Sequence, residues 1–160
     1  MANLNLKSEV MDKQEIVIYF KDLQERITKG LEESDGKCVF KEDLWERPGG
    51  GGGRTRTTTN GNILEKGGVG FSAVEGLTPD KVAYSLGVEV GSTFFATGVS
   101  LVMHPFNPFV PIIHMNVRYF EMSTGHWWFG GGIDLTPHYI DVNDAKWFHQ
   151  RLKSVCDTHD

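Results

Sequence analysis

The sequence has 160 residues, of which 39% are hydrophobic and 11% aromatic, and a formal net charge of -5. These values predict one globular domain over residues 1–160 and exclude a disordered chain. The acidic balance argues against a nucleic-acid partner, and the lack of a transmembrane-length apolar run or a signal-peptide core predicts a cytoplasmic protein.

The first part of the chain is predicted to contain one long helix and then a strand. Between residues 8 and 34, apolar side chains recur every three or four positions with charged residues between them, which is typical of an amphipathic helix. Asp35 and Gly36 form a plausible stop for this helix. Residues 38–47 have the pattern of a strand.

A run of five glycines at residues 49–53 follows this strand. The strand-loop-helix context and the lysine of a phosphate-binding loop are both missing, so that function is rejected. Composition predicts a flexible surface loop. The functional alternative is a mobile flap that brings backbone amides and Arg54 or Arg56 to an anionic ligand.

Turn and cap residues divide the middle of the chain. β-Branched residues predict a strand at 54–59, and Asn60-Gly61 predicts a two-residue hairpin turn before a returning strand at 63–65. Glycines at 67, 68 and 70 predict a further interruption. Thr78 is the expected cap of a short helix at 80–86.

The rest of the chain is predicted to form three strands and a final helix. Residues 94–103, 112–122 and 127–135 are β runs with short connections, which favour antiparallel neighbours. Helical spacing returns at 142–156, with Asp141 or Asn143 as its cap. The predicted fold class is therefore α+β, an antiparallel β-sheet flanked by helices.

The stretch SLVMHPFNPFVPIIHMNVR, residues 100–118, carries much of the candidate chemistry. His114, Asn116 and Arg118 alternate along one predicted strand, so their side chains share one face of the sheet. We expect Arg118 to be buried in this apolar strand and to meet a carboxylate. The carboxylate is either internal, from Glu121 or Asp134, or belongs to a ligand.

The stretch WWFGGGIDLTP, residues 127–137, is the second informative segment. Large aromatic residues followed by three glycines predict a wall beside a place where a flat ligand approaches the backbone. Asp134 is a candidate acceptor for ligand N–H groups. The alternative is a turn or helix-capping acid ahead of Thr136.

Histidines offer a weaker signal. His104 and His114 lie across a predicted turn, and His149 adds a third candidate metal ligand, although each also fits a hydrogen-bonded structural histidine. His114 is the better candidate for a proton donor, because imidazole titrates near neutral pH.

Three blocks of the sequence resemble the signature blocks of one enzyme family. They read DLWERPGGGGGRTRTTTNGNILEKGGVGFSAVEG, HPFNPFVPIIHMNVRYF and WWFGGGIDLTP. From about Tyr19 onward the chain resembles oxygen-dependent coproporphyrinogen III oxidases. Chains of that family are longer, so the sequence resembles the N-terminal portion of the family's domain, truncated at its C-terminus. Gly68 and Gly70 replace the alanine and asparagine that are common in the family.

The resemblance implies a flat antiparallel sheet between helices and a homodimer. It also implies oxidative decarboxylation of two propionates of coproporphyrinogen III to vinyl groups, which yields protoporphyrinogen IX in haem and porphyrin biosynthesis. Molecular oxygen is the implied oxidant, and carbon dioxide and hydrogen peroxide are the by-products. No organic cofactor is implied, whereas a divalent metal is implied for some bacterial members.

The resemblance also implies roles for individual residues. His114 matches the suggested proton donor, and Asp134 matches the acid that holds the pyrrole N–H groups. The positions implied to contact the substrate are Ser100, Asn116, Val117 and Arg118. The positions implied as metal ligands are His104, His114 and His149.

Two other functions compete with this enzyme. One is a truncated, non-catalytic porphyrin-binding module, and the other is a metal-dependent oxygenase built on the same three histidines. Turnover by the isolated chain would distinguish an enzyme from the binding module. Activity that survives chelation would distinguish the cofactor-free enzyme from the metal-dependent oxygenase.

Overall fold

A six-stranded antiparallel sheet forms the centre of the fold in the computed structural model, which describes residues 12–159. The strands follow one another in space in chain order, so the sheet is an up-and-down meander. Three helices accompany it in the described residues, and the predicted α+β fold class is confirmed. The elements are α1 Lys13–Asp35, β1 Lys41–Glu46, β2 Gly51–Thr59, β3 Leu64–Leu77, α2 Asp80–Leu86, β4 Thr93–Pro105, β5 Ile112–Met122, β6 Trp127–Thr136 and α3 Val142–Cys156.

The long helix α1 ends where the sequence predicts. Gly36 adopts a left-handed conformation, with φ of 74°, and its N–H donates to the Glu32 carbonyl oxygen, which satisfies one of the last free carbonyls of the helix. The carboxylate of Asp12 caps the start of the described helix by accepting the Gln14 N–H at 3.0 Å. The predicted helix positions 8–11 lie outside the described residues.

The two shorter helices follow their predicted ranges, but one predicted cap is wrong. Asp141 caps α3 by accepting the backbone N–H groups of Asn143 and Asp144. Thr78 does not cap α2, because its buried hydroxyl has no hydrogen-bond partner in the described structure and Pro79 takes the cap position. Across residues 12–159, no helix is long and apolar enough to cross a membrane.

One face of the sheet packs against α1, which lies over β3 and β4. The alternation of side chains along the strands places every second residue in this core. Gln24 is fully buried at the centre of the contact, where its amide donates to the carbonyls of Arg54 and Val69, both at 2.7 Å. The principal apolar residues of the core are Ile16, Phe20, Val69, Phe71, Val99, Met103 and Tyr119.

Gly49 and Gly50 lie in the turn between β1 and β2, as predicted, but the other glycines of these segments are strand, contrary to the predicted loop and interruption. Gly51 to Gly53 begin β2, and the glycines at 67, 68 and 70 lie inside the continuous strand β3. A Cβ on Gly51 would lie 2.2 Å from the Ala73 carbonyl oxygen, and one on Gly52 would lie 2.4 Å from that of Trp45. Glycine is therefore needed here for the close approach of neighbouring strands rather than for flexibility.

The hairpin between β2 and β3 is longer than the predicted two-residue turn. Asn60 has the positive φ, 58°, of such a turn, but the connection continues through Ile63. The Asp35 carboxylate, at the end of α1, accepts the backbone N–H groups of Asn62, Ile63 and Leu64 at 2.8 to 2.9 Å. An acceptor supplied by a distant element thus stabilises a wider turn than local sequence indicates.

Candidate active site

The face of the sheet opposite α1, which we call the open face, bears two adjoining cavities of about 500 and about 610 Å³. Both cavities are lined by Gly70 of β3, Ser100 of β4 and Asn116 of β5. These three residues are aligned by the strand register, in which Ser100 faces Gly70 on one side and Asn116 on the other. His114, Asn116 and Arg118 occupy alternate positions of β5, so their side chains share one face, as the sequence predicts.

His114 and Asp134 form a hydrogen-bonded pair on the open face. The two residues are directly opposite in the β5–β6 register, and His114 Nδ1 lies 2.8 Å from Asp134 Oδ1. The Thr136 hydroxyl donates to the same oxygen at 3.1 Å. The hydrogen bond from His114 lowers the pKa of the Asp134 carboxyl, burial opposes this, and the hydrogen bond from Thr136 adds to the lowering, so the net shift is downward. Asp134, an acid that is ionised at neutral pH even without this shift, therefore faces His114 as a carboxylate, and it does not cap a helix or turn.

The second oxygen of Asp134 is free to accept from a ligand. Both protein donors use Oδ1, and within residues 12–159 Oδ2 accepts no protein hydrogen bond. The same holds for Nε2 of His114, whose other ring nitrogen faces Asp134. An ionised acceptor and an imidazole nitrogen are thus presented together to the larger cavity.

Arg118 is exposed on the open face rather than buried, so that prediction is wrong. Its Nη1 donates to Asn116 Oδ1 at 3.2 Å, and within the described part of the chain no carboxylate lies within 4.0 Å of the guanidinium. The internal partners considered from sequence are engaged elsewhere, because Glu121 pairs with Lys13 at 2.9 Å and Asp134 pairs with His114. The Arg118 fork is consequently available for the carboxylate of a ligand.

Glycines leave the floor of the open face uncovered. A Cβ on Gly132 would meet no atom within 4 Å, and one on Gly68 or Gly70 would meet nothing closer than 3.8 Å. Gly132 faces Asn116 across the strands, as Gly130 faces Arg118. A flat ligand can therefore approach the backbone closely beside the polar groups.

The aromatic residues of β6 do not form a single wall. Trp128 stacks on Phe120 on the open face, with ring centroids 4.6 Å apart. Trp127 and Phe129 lie on the opposite face against Tyr119. The sequence interpretation is corrected because consecutive strand residues point to opposite faces.

Three other residues that the sequence analysis singled out lie on the α1 side of the sheet. The Val117 side chain packs against the α1 core, so it faces away from Asn116 and Arg118. Arg54 and Arg56 are both engaged by the carboxylates of Glu25 and Glu42. The proposed approach of these two arginines to an anionic ligand is therefore not supported by their positions.

The candidate metal ligands are not gathered by this fold. His104 lies at the end of β4, whereas His149 lies on α3 and borders a further cavity of about 210 Å³, which Asp134 also lines. Among residues 12–159, no group of three or more histidine, cysteine or carboxylate side chains is arranged to hold a metal ion. The described donor set therefore does not fit a resident metal.

Two residues of the open face were not identified from sequence. Thr136 follows Asp134 by two positions on β6, so strand alternation was a usable signal for it. Trp45 borders the cavity that also contacts Arg118, although the two residues are far apart in sequence. Its position depends on the pairing of β1 with β2, which no local sequence pattern predicts.

The fold and its open face define a class of protein: an antiparallel sheet that presents a free guanidinium and an ionised acceptor to a flat, carboxylate-bearing ligand. Comparison with known proteins gives the family. The family model of coproporphyrinogen III oxidase matches residues 15–160. The chain belongs to this family.

Curated relatives share close to half of their aligned residues with this chain. It is 46% identical over 148 residues to the oxygen-dependent coproporphyrinogen-III oxidase of Coxiella burnetii (strain RSA 493 / Nine Mile phase I), an alignment covering 89% of this chain and 48% of that protein. It is 45% identical over 160 residues to the enzyme of the same name from Prochlorococcus marinus (strain NATL1A), covering 99% of this chain and 45% of that one. The chain thus spans about half the length of the curated relatives it matches.

Proposed function

We propose that this chain binds coproporphyrinogen III and carries out its oxygen-dependent oxidative decarboxylation to protoporphyrinogen IX. The observation that carries the proposal is the guanidinium of Arg118, which has no carboxylate partner among residues 12–159, on the same face as the His114–Asp134 pair. A carboxylate-bearing substrate with pyrrole N–H donors is complementary to both groups. The names of the relatives, oxygen-dependent coproporphyrinogen-III oxidase, support the same assignment.

In this proposal the polar groups of the open face orient the macrocycle. Arg118 holds a propionate, with Asn116 and Ser100 as neighbouring hydrogen-bonding groups. Asp134 accepts pyrrole N–H groups through Oδ2. Val117 is assigned to the substrate through the family resemblance alone, because its side chain packs on the α1 side of the sheet.

The chemistry that we propose requires no organic cofactor. Asp134 favours loss of a pyrrole proton, and the resulting electron-rich ring reacts directly with molecular oxygen. Each propionate then loses carbon dioxide by breaking its C–C bond to the carboxyl carbon, and one hydrogen of the adjacent C–H bond leaves as a proton while the vinyl double bond forms. The two electrons released pass to one molecule of oxygen, which takes up that proton and one further proton and becomes hydrogen peroxide.

His114 is the proposed proton donor. Reduction of oxygen to hydrogen peroxide consumes two protons, and Nε2 of His114 faces the cavity where the ring is proposed to react. The hydrogen bond between Nδ1 and Asp134 orients the imidazole for this transfer. We also propose a cytoplasmic location, from the sequence, and a homodimer, from the family resemblance; fractionation tests the first and light scattering the second.

Oxygen-dependent turnover tests the proposal. The 160-residue protein is incubated with coproporphyrinogen III in air and without oxygen, and protoporphyrin is measured after oxidation of the products. We expect product only in air, and little loss of activity after chelation of metals. Asp134→Ala should lower kcat by about a hundredfold or more, because it removes the proposed acceptor.

Arg118→Ala should raise KM by about a hundredfold, because it removes a charge-assisted contact to the propionate. Asp157→Asn, which removes an exposed acid on the C-terminal side of α3, is the matched control and should leave both constants unchanged. Near-normal turnover by Asp134→Ala would refute the proposed chemistry. Tight binding of coproporphyrinogen without any product would instead identify a non-catalytic porphyrin-binding module.

A further inference from the structure

Trp45 is an aromatic side chain of the open face that has no role in the chemistry proposed above. It lies on the edge strand β1, opposite Gly53 of β2 in the strand register. A Cβ on Gly53 would lie 2.2 Å from Cζ2 of the indole, so the ring occupies the space that any other residue at 53 would fill. The Trp45 side chain can therefore lie across β2 because Gly53 has no side chain.

A hydrogen bond holds this ring in place. The indole Nε1–H donates to the Thr55 hydroxyl at 3.1 Å, and Thr55 is two residues from Gly53 on the same strand. Among the described residues, no other aromatic ring stacks on Trp45, and the residue is 36% exposed. One side of the indole is thus fixed by the protein, and the other side remains available to a ligand.

Trp45 and Arg118 border the same cavity of about 500 Å³. Their strands, β1 and β5, are four strand spacings apart, about 19 Å between backbones. The residues that line the cavity between them include Gly70, Gly98 and Ser100, which leave a low floor. An aromatic wall and a guanidinium thus lie on opposite sides of one shallow recess.

We infer that Trp45 stacks against a pyrrole ring of the bound tetrapyrrole and positions the macrocycle relative to Arg118. This inference rests on the proposed function and extends its binding site from β5 to the edge strand β1. Trp45 is a binding residue in this arrangement, and Thr55 is a positioning residue that acts through the indole. Because stacking contributes to binding rather than to the oxidation step, Trp45 variants should change KM more than kcat.

Titration of the protein with coproporphyrin III, followed by porphyrin fluorescence, tests the inference without requiring turnover. Trp45→Ala should weaken binding about tenfold, and Trp45→Phe, which keeps an aromatic ring, should remain within about threefold of the unmodified protein. Thr55→Val removes the acceptor of the indole N–H and should weaken binding about threefold. Trp147→Ala, which removes an exposed tryptophan of α3, is the matched control and should have no effect.

Circular dichroism verifies that each variant is folded. If Trp45→Ala does not fold, Trp45→Leu keeps an apolar side chain over Gly53 and should show the same tenfold loss. Binding by the Ala or Leu variant within twofold of the unmodified protein, while Arg118→Ala loses binding, would overturn this inference and leave the proposed function intact. A failure of the unmodified protein both to bind coproporphyrin III and to convert coproporphyrinogen III would overturn both.

Discussion

Replacement of Asp35 by asparagine is expected to destabilise the fold by about 3 kcal/mol at pH 7. Asp35 is buried, and its Oδ1 accepts the backbone N–H groups of Lys37, Cys38 and Asn62, whereas Oδ2 accepts those of Ile63 and Leu64. An asparagine side chain converts one of these acceptors into an N–H₂ donor. At least two backbone N–H groups then lose their acceptor, at about 1–3 kcal/mol each.

The destabilisation should depend on pH in a defined direction. Burial raises the pKa of Asp35, but the backbone N–H groups that it accepts lower that pKa by more, so the net shift is well below the ordinary value. A carboxyl with a lowered pKa in the folded state contributes its full stability above the pKa of the unfolded chain, about 3.9, and loses it as the pH falls below that value. The stability difference between the two proteins should therefore be constant from pH 5 to 8 and shrink below about pH 4.

Urea unfolding at a series of pH values measures this difference. With a slope of about 2 kcal/mol per molar urea, a loss of about 3 kcal/mol moves the midpoint down by about 1.5 M at pH 7. Asp157→Asn, which removes an exposed ion pair with Lys153, is the control and should cost less than about 0.5 kcal/mol. A loss below 1 kcal/mol for Asp35→Asn, or a gap that does not change on acidification, would refute this account of the Asp35 carboxylate.

Three further substitutions test the packing of the sheet and the role of its open face in binding. Gly98→Ala should destabilise the protein by about 1–3 kcal/mol in urea unfolding, because its Cβ would lie 2.3 Å from the Val117 carbonyl oxygen; an unchanged midpoint would contradict this contact. Gly132→Ala should leave the midpoint unchanged yet weaken coproporphyrin III binding, because the added methyl group enters open space on the floor; unaltered affinity would argue against a ligand there. Gln24→Leu should cost about 2–4 kcal/mol, because two backbone carbonyls and the Arg54 Nε lose their partner; a loss under 1 kcal/mol would show that this buried amide is dispensable.

Periodicity in the sequence predicted most of the secondary structure. The spacing of apolar residues in α1, the alternation along β4 to β6 and the run from 142 to 156 each correspond to an observed element. The shared face of His114, Asn116 and Arg118 could also be predicted, because side-chain direction along a strand follows from the residue count alone. These features depend on neighbours within a few positions, which the sequence contains.

The glycine segments could not be assigned from local pattern. Gly51 and Gly52 have low strand propensity, yet they lie in a strand where neighbouring backbones approach too closely for a Cβ. Gly68 and Gly70 lie in a strand because β3 pairs with β2 on one side and β4 on the other. The width of the 60–63 hairpin likewise depends on a carboxylate supplied by Asp35, more than 20 positions earlier. Such contacts join distant parts of the chain and override local preference.

The sequence by itself determined which residue types are available for the site and which of them share a strand face. Only the tertiary structure decided how they are partnered: Asp134 meets His114, Glu121 meets Lys13, and Arg118 meets no carboxylate in the described part of the chain. It also brought Trp45 to the cavity beside Arg118. The physical reason is that strand register and the packing of α1 set distances between residues far apart in sequence, and these distances decide which charges are neutralised within the protein and which are left for a ligand.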